Sequence, residues 1–312
     1  MLSRLGGVRI SDLTGVRAAR PGAIAEAAAA RVRRPPPDAG ARLMIIAADH
    51  PARGALGAGG DPVAMADRAG LLDRLCAALE RPGVDGVLGT PDVLEDLLLL
   101  GVLDDRIAIG SMNRGGLAGT SFEIDDRFTA YDADAIAAAR LDGGKMLLRI
   151  DDADPATART LEACAHAVSG LAGHGLMAMV EPFVAHRIDG RARNLLTPEA
   201  MIRAVSVASG LGATSAYTWL KLPVVPDMER VVAATTLPVL LLGGDFAGGT
   251  GATGGTGATG ETGATGGTGA VLDGWRHALR LPGVKGLVAG RSLLYPPDGD
   301  VRSAVDAAVA LL

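Results

Sequence analysis

The sequence predicts a closed parallel (β/α)8 barrel, an α/β fold, and three observations carry that expectation. From about residue 43 onward, eight short apolar or β-branched runs alternate with eight Ala/Leu-rich helical patterns. At 312 residues and 48% hydrophobic content, the chain matches one barrel of roughly 250 residues with additions. No Gly-x-Gly-x-x-Gly follows the first run with an acidic residue about 20 positions on, so a Rossmann-like open sheet is the weaker alternative.

Residues 1–40 precede the first strand. Stretches 10–19 and 21–34 read as helices, the second with Pro21 suited to a first helical turn. Arg34-Pro-Pro-Pro-Asp38 ends it, because proline lacks the N–H a helix needs and restricts the residue before it. We expect a helical N-terminal extension over 1–40 that caps the bottom of a barrel spanning 41–312. The strands are expected at 43–49, 86–89, 107–111, 145–151, 176–181, 217–221, 239–243 and 286–290. Helices are expected near 61–81, 91–100, 132–141, 155–173, 197–209, 226–234 and 271–281, with a last one at about 300–311.

One segment breaks the alternation. Over 248–271 glycine falls at every third residue, in eight triplets such as Gly-Ala-Thr and Gly-Gly-Thr. The period is that of collagen, but the triplets hold no proline and are too few for an independent triple helix. A flexible polar insertion between strand 7 and its helix is the expected state, tolerated because loop-closure entropy grows only logarithmically with length.

Composition narrows the function classes. The net charge is −5 and the arginines are scattered, which argues against a nucleic-acid partner. Cys76 and Cys164 both lie in helical patterns and read as small buried hydrophobes, with no disulfide or thiolate metal site. The start Met-Leu-Ser-Arg-Leu-Gly-Gly has no apolar signal core, and no apolar run approaches the roughly 20 residues of a membrane span. A cytoplasmic protein without a membrane partner is the expectation.

The chemistry should sit at the C-terminal ends of the strands. The most telling of these is Tyr217-Thr-Trp-Leu-Lys221-Leu-Pro223, an apolar strand ending in a lysine. Only Lys145, Lys221 and Lys285 are lysines among 30 basic residues. Arginine stays protonated, whereas a desolvated lysine can lose its proton and act as a nucleophile. A strand-end lysine that merely snorkels to solvent is the bland alternative. Strand 1 ends in Asp49 and strand 5 in Glu181. On strand 4, period-two alternation puts Lys145, Leu147, Arg149 and Asp151 on one face, opposite Met146, Leu148 and Ile150. Such a set of charges must be paired when buried, and it marks either an active site, in which Arg149 is expected to bind substrate, or an internal salt-bridge layer.

Glycines mark a second feature. Strand 7 ends in Gly243-Gly244 and strand 8 in Gly290-Arg291. In barrels the loops after these strands commonly hold phosphate through backbone N–H groups, and Arg291 can add a bidentate contact. Histidines are few near the strand tops (His50 and His186), so no metal site is assembled. Asp151-Asp-Ala-Asp154 before Pro155 reads as a helix start rather than a metal cage.

These residues together resemble the class I, Schiff-base-forming aldolases on the (β/α)8 barrel. The pattern is similar to that of the tagatose-bisphosphate and DhnA-type fructose-bisphosphate aldolases, and more distantly to deoxyribose-phosphate aldolase. It comprises Asp49, Lys145-Met-Leu-Leu, Glu181, Lys221, Gly243-Gly244 and Gly290-Arg291, and it runs from about 43 to 312. The resemblance implies Lys221 as the Schiff-base lysine, Lys145 and Glu181 in proton transfer, and Asp49 on the reacting carbonyl or hydroxyl. It further implies no cofactor and a phosphorylated sugar or sugar-acid substrate; a homo-oligomer is also expected. The chain is also similar to a barrel family of actinobacterial inositol-catabolism clusters, which implies a phosphorylated deoxy-ketogluconate. It departs from the tagatose enzymes at Asp49-His-Pro-Ala-Arg-Gly, where they have the shorter Asp-Gln-Arg-Gly. A sugar-phosphate isomerase or epimerase without a covalent step, and a non-catalytic phospho-ligand barrel, are the other readings of the same mouth.

Overall fold

A computed structural model of the chain describes residues 8–38, 40–243 and 268–312. Nine strands are present among them: β1 (Leu43–Ala47), β2 (Gly86–Gly89), β3 (Ile107–Ser111), β4 (Gly143–Ile150), β5 (Met177–Ile188), β6 (Arg191–Asn194), β7 (Thr218–Leu222), β8 (Val239–Leu242) and β9 (Val284–Ala289). Eight of them pair in parallel in the order β1-β2-β3-β4-β5-β7-β8-β9, and β9 returns to β1 to close the barrel. The expected fold class is the observed one. The ninth, β6, was not foreseen from the sequence. It runs antiparallel to an extended β5 as a hairpin, with Ala185 opposite Asn194.

Strand alternation sorts the core into two. Leu43, Ile45, Ala47, Leu88, Ile107, Ile109, Met179, Leu240 and Val288 fill the barrel interior, with Trp219 packed against them. Their alternate neighbours, among them Met44, Ile46, Val87, Ala108, Met146 and Val180, face the surrounding helices. The barrel closes tightly where β9 meets β1. Gly286 has φ +133, and a Cβ there would lie 2.0 Å from the Leu43 carbonyl oxygen. Only glycine tolerates that approach and that dihedral.

Helices follow the strands: α3 (Arg68–Leu79), α4 (Pro91–Leu99), α5 (Ala133–Ala138), α6 (Ala156–Gly173), α7 (Pro198–Ser209), α8 (Met228–Val232), α9 (Thr268–Ala278), α10 (Arg291–Leu294) and α11 (Val301–Val309). The helix expected over 61–81 begins only at Arg68, capped by Asp67 accepting from the Ala69 amide. Gly57, Gly59, Gly60 and Pro62 keep the preceding residues in a loop. Asp154 accepts from the Ala156 amide at 2.9 Å at the start of α6. The three acidic residues there diverge, with Asp151 near His186, Asp152 on Arg203 and Asp154 on Arg187.

Two short helices precede the barrel, α1 (Leu13–Ala19) and α2 (Ala23–Ala30). The second ends earlier than the expected 34, since Arg31 turns to ψ 128. Arg31 is buried and donates to the Arg106 carbonyl, and Arg34 pairs with Asp85 at 2.7 Å. These partners immediately precede β3 and β2, at the end of the barrel opposite the strand C-termini. Met1–Gly7, Ala39, Gly244 and residues 245–267 lie outside the described residues, and with them most of the glycine-triplet segment.

Candidate active site

Four of the residues singled out from the sequence meet inside the mouth of the barrel: Lys145, Glu181 and Lys221 from within their strands and Asp49 just past β1. Lys221 on β7 is 4% exposed, and its Nζ lies 3.2 Å from Glu181 Oε1 on β5. The other Glu181 oxygen pairs with Lys145 on β4. Lys145 Nζ also reaches Asp49 Oδ2, just past β1, at 3.3 Å. A continuous chain therefore runs Lys221–Glu181–Lys145–Asp49 across the mouth. Glu181 lies between the two lysines because β5 runs between β4 and β7 in the sheet, with Lys145 opposite Met179, two residues before Glu181.

The electrostatics follow from this packing. Burial alone would raise the Glu181 carboxyl, but Lys145 and Lys221 outweigh it and hold the group down at about 2. Burial also penalises the charge on Asp49, and Arg114 and Lys145 together hold it well below the usual carboxylate range. Burial lowers the Lys145 ammonium to about 8, against the raising pull of Asp49 and Glu181. His50 is pushed well below 6.5 by burial and by Arg291, so its imidazole is neutral at pH 7. At neutral pH the cluster thus contains two fixed carboxylates and a lysine poised near its titration point.

The cleft above these groups has a volume of about 390 Å3 including its open side. Its lining adds residues that the sequence reading missed: Arg53, Arg114 and Glu123. Arg114 and Glu123 come from the loop between β3 and α5. Arg114 Nη2 donates to Asp49 Oδ2 at 2.5 Å and Nη1 to the Asp49 carbonyl at 2.7 Å. Arg53 supports this loop by donating to the carbonyls of Gly116 and Asn113, at 2.9 and 2.6 Å, and by pairing with buried Asp126. Asn113 exchanges two hydrogen bonds with the Leu147 backbone of β4, at 2.6 and 2.8 Å. The signal for Arg114 and Glu123 was length. The segment from 112 to 132 is longer than the 12–15 residues of ordinary connections, and such loops usually carry function.

Arg149, expected to bind substrate, does face the cleft, but its Nη2 is 3.1 Å from Glu123 Oε1. Gly243 directly follows β8 and packs on Ala289 and Ser292. Gly290 lies against β1, where a Cβ would sit 2.3 Å from the Ala47 carbonyl oxygen. Arg291 is half-buried near His50 and donates to the Gly57 carbonyl at 3.3 Å. Gly244 is outside the described residues. Among the described residues, no three His, Cys, Asp or Glu side chains are grouped to hold a metal ion. No described helix is long and apolar enough to cross a membrane.

A family model described as Cgl0159-like matches residues 41–309. The chain belongs to the Cgl0159-like family. The crystal structure of Cgl0159 from Corynebacterium glutamicum is similar throughout, with 48% identity, 97% of each chain covered and a TM-score of 0.88. A fructose-bisphosphate aldolase from Slackia heliotrinireducens shares the fold at 18% identity and a TM-score of 0.60, over 86% of this chain and 85% of that one. An archaeal fructose 1,6-bisphosphate aldolase does so at 18% identity and 0.58, over 92% and 98%. A comparison with curated proteins gives no match. This member of the Cgl0159-like family thus shares its (β/α)8 fold with these fructose-bisphosphate aldolases, at identities that speak for the fold alone.

Proposed function

We propose that the protein is a class I aldolase that cleaves or forms a C–C bond in a phosphorylated sugar or sugar acid through a Schiff base on Lys221. The observation that carries the reading is Glu181 held between Lys221 and Lys145 in a buried mouth, with Asp49 on the far side of Lys145. An archaeal fold neighbour, 16% identical with a TM-score of 0.56 over 92% of this chain, is a fructose-1,6-bisphosphate aldolase whose catalytic lysine is bound to a carbinolamine. That neighbour and the Lys145/Glu181 pair support lysine chemistry over a metal-dependent one.

In this reading the neutral Lys221 amine adds to the substrate carbonyl carbon and gives a carbinolamine. The hydroxyl leaves as water with a proton from the Glu181–Lys145 pair, which yields an iminium. The β-hydroxyl then returns a proton to the same pair as the adjacent C–C bond breaks. The bond electrons pass to the iminium, an aldehyde departs and an enamine remains. Protonation at carbon and hydrolysis release the ketone and regenerate Lys221. The Gly243 N–H is already given to the Val288 carbonyl at 3.2 Å, so Gly290 and Arg291, with Gly244 as the sequence expects, would hold the phosphate through backbone N–H groups and a guanidinium, and Arg149 would bind a substrate oxygen beside Glu123.

Borohydride reduction in the presence of dihydroxyacetone phosphate, followed by peptide mass spectrometry, tests the proposal. The expected result is an irreversible adduct on Lys221 that is absent in Lys221→Arg. An isomerase using Glu181 or Asp49 as base would give no adduct and no inactivation. Full activity in Lys221→Arg would overturn the reading.

A further inference from the structure

Asp49 is held asymmetrically. Its Oδ2 receives Ser111 Oγ at 3.0 Å, Arg114 Nη2 at 2.5 Å and Lys145 Nζ at 3.3 Å. Its Oδ1 accepts a hydrogen bond from no described residue, and His50 Nδ1 stands 4.0 Å from it. Arg114 grips the same residue twice, at the side chain and at the backbone carbonyl, and is only 6% exposed. A planar guanidinium can bridge two acceptors of one residue in this way, whereas an ammonium acts as a point charge. Turning the Asp49 side chain out of this position would cost all three contacts to Oδ2.

We propose that Arg114 is a positioning residue: it locks Asp49 so that Oδ1 alone faces the cleft as a fixed acceptor for a hydroxyl next to the substrate carbonyl. An ionised carboxylate can only accept, so the complementary group must donate. A hydroxyl does so, while a bare carbonyl, ether or phosphate oxygen would be repelled. Ser111 and Lys145 complete the cradle from β3 and β4. Neither donates to Oδ1, so no described residue competes with the substrate for it. The inference rests on the Schiff-base reading, which fixes the carbonyl carbon at Lys221.

Two probes separate the possibilities: dihydroxyacetone phosphate, and hydroxyacetone phosphate, which lacks the hydroxyl beside the carbonyl. Each is titrated against the enzyme with borohydride trapping, and the concentration for half-maximal adduct is read by mass spectrometry. The native chain should favour the hydroxylated probe by about 10- to 100-fold, the range of a hydrogen bond to a charged group. Arg114→Gln should bring that ratio close to one while the adduct still forms on Lys221. Arg114→Lys, which keeps the charge and loses the bridge, should restore part of it and covers the case in which the glutamine variant does not fold. An Asp49→Asn/Arg114→Gln pair should match Asp49→Asn alone. An unchanged ratio in both Arg114 variants, or losses that multiply in the pair, overturns the positioning role. No adduct with either probe in the native chain instead removes the Lys221 reading, and the positioning role with it.

Discussion

Lys145 is a buried residue of the mouth that titrates not far above neutrality. Burial brings its ammonium to about 8, while Glu181 and Asp49 pull the other way. Its protonated form neutralises Glu181 and supplies a proton that an arginine would never release. In the proposed mechanism the free protein needs that proton, so kcat/KM should fall as pH rises through about 8. Lys145→Arg should abolish this limb at a reduced plateau, because a guanidinium does not titrate there. Lys145→Met should lower kcat by about 10²- to 10⁴-fold, the usual contribution of general acid–base groups. A limb near 8 that survives in Lys145→Arg would assign the ionisation elsewhere. Here the sequence was informative. A lysine kept on an inward strand position of an arginine-rich chain, two residues before Leu147 and four before Arg149, pointed to the cleft that all three line.

Elements differed in how far they could be read. Parallel strands of a barrel are short apolar runs with fixed alternation, so the inner and outer sets of β1 and β5 followed from period two. Loops carry no such period. The hairpin β5–β6 was missed because its residues, Ala185-His-Arg-Ile188 against Arg191-Ala-Arg-Asn194, are polar and face solvent in large part. The loop over 112–132 was missed because its order comes from non-local pairs: Arg53 with Asp126, Arg149 with Glu123, Arg114 with Asp49. No local propensity encodes a contact across 65 residues of chain. This loop stands or falls as a unit. Asp126 also accepts from the Gly116 amide at 2.9 Å, so Asp126→Ala leaves Arg53 buried without its charge partner and frees that amide. Removing one partner of a buried pair costs about 3–5 kcal/mol. Denaturant unfolding should show that loss, and hydrogen exchange should speed up at Gly116 and Ala118 before it does on β1. Uniform exchange with native stability would mean that the pair does not hold the loop.

At the scale of the whole molecule, the charge chain and the barrel are one structure. Glu181 lies on β5 and its partners on the two neighbouring strands, β4 and β7, so its ion pairs add to the ladders that already join these three strands. Its carboxyl is held at about 2 in the folded chain and returns to about 4.3 when unfolded. A depressed folded value means that the stabilisation is fully present above about 4.3 and is lost as pH falls through the folded value. Glu181→Gln keeps the shape, removes the charge and leaves both lysines less compensated. It should therefore be less stable than the native chain by about 3–5 kcal/mol at pH 7. That gap should shrink steadily as pH falls from about 4.3 towards 2, because the native chain then protonates the same group. Denaturant midpoints of the two chains across that range check it. A gap that stays constant down to pH 2 would show that the loss comes from packing rather than from the charge that Glu181 sets between Lys145 and Lys221.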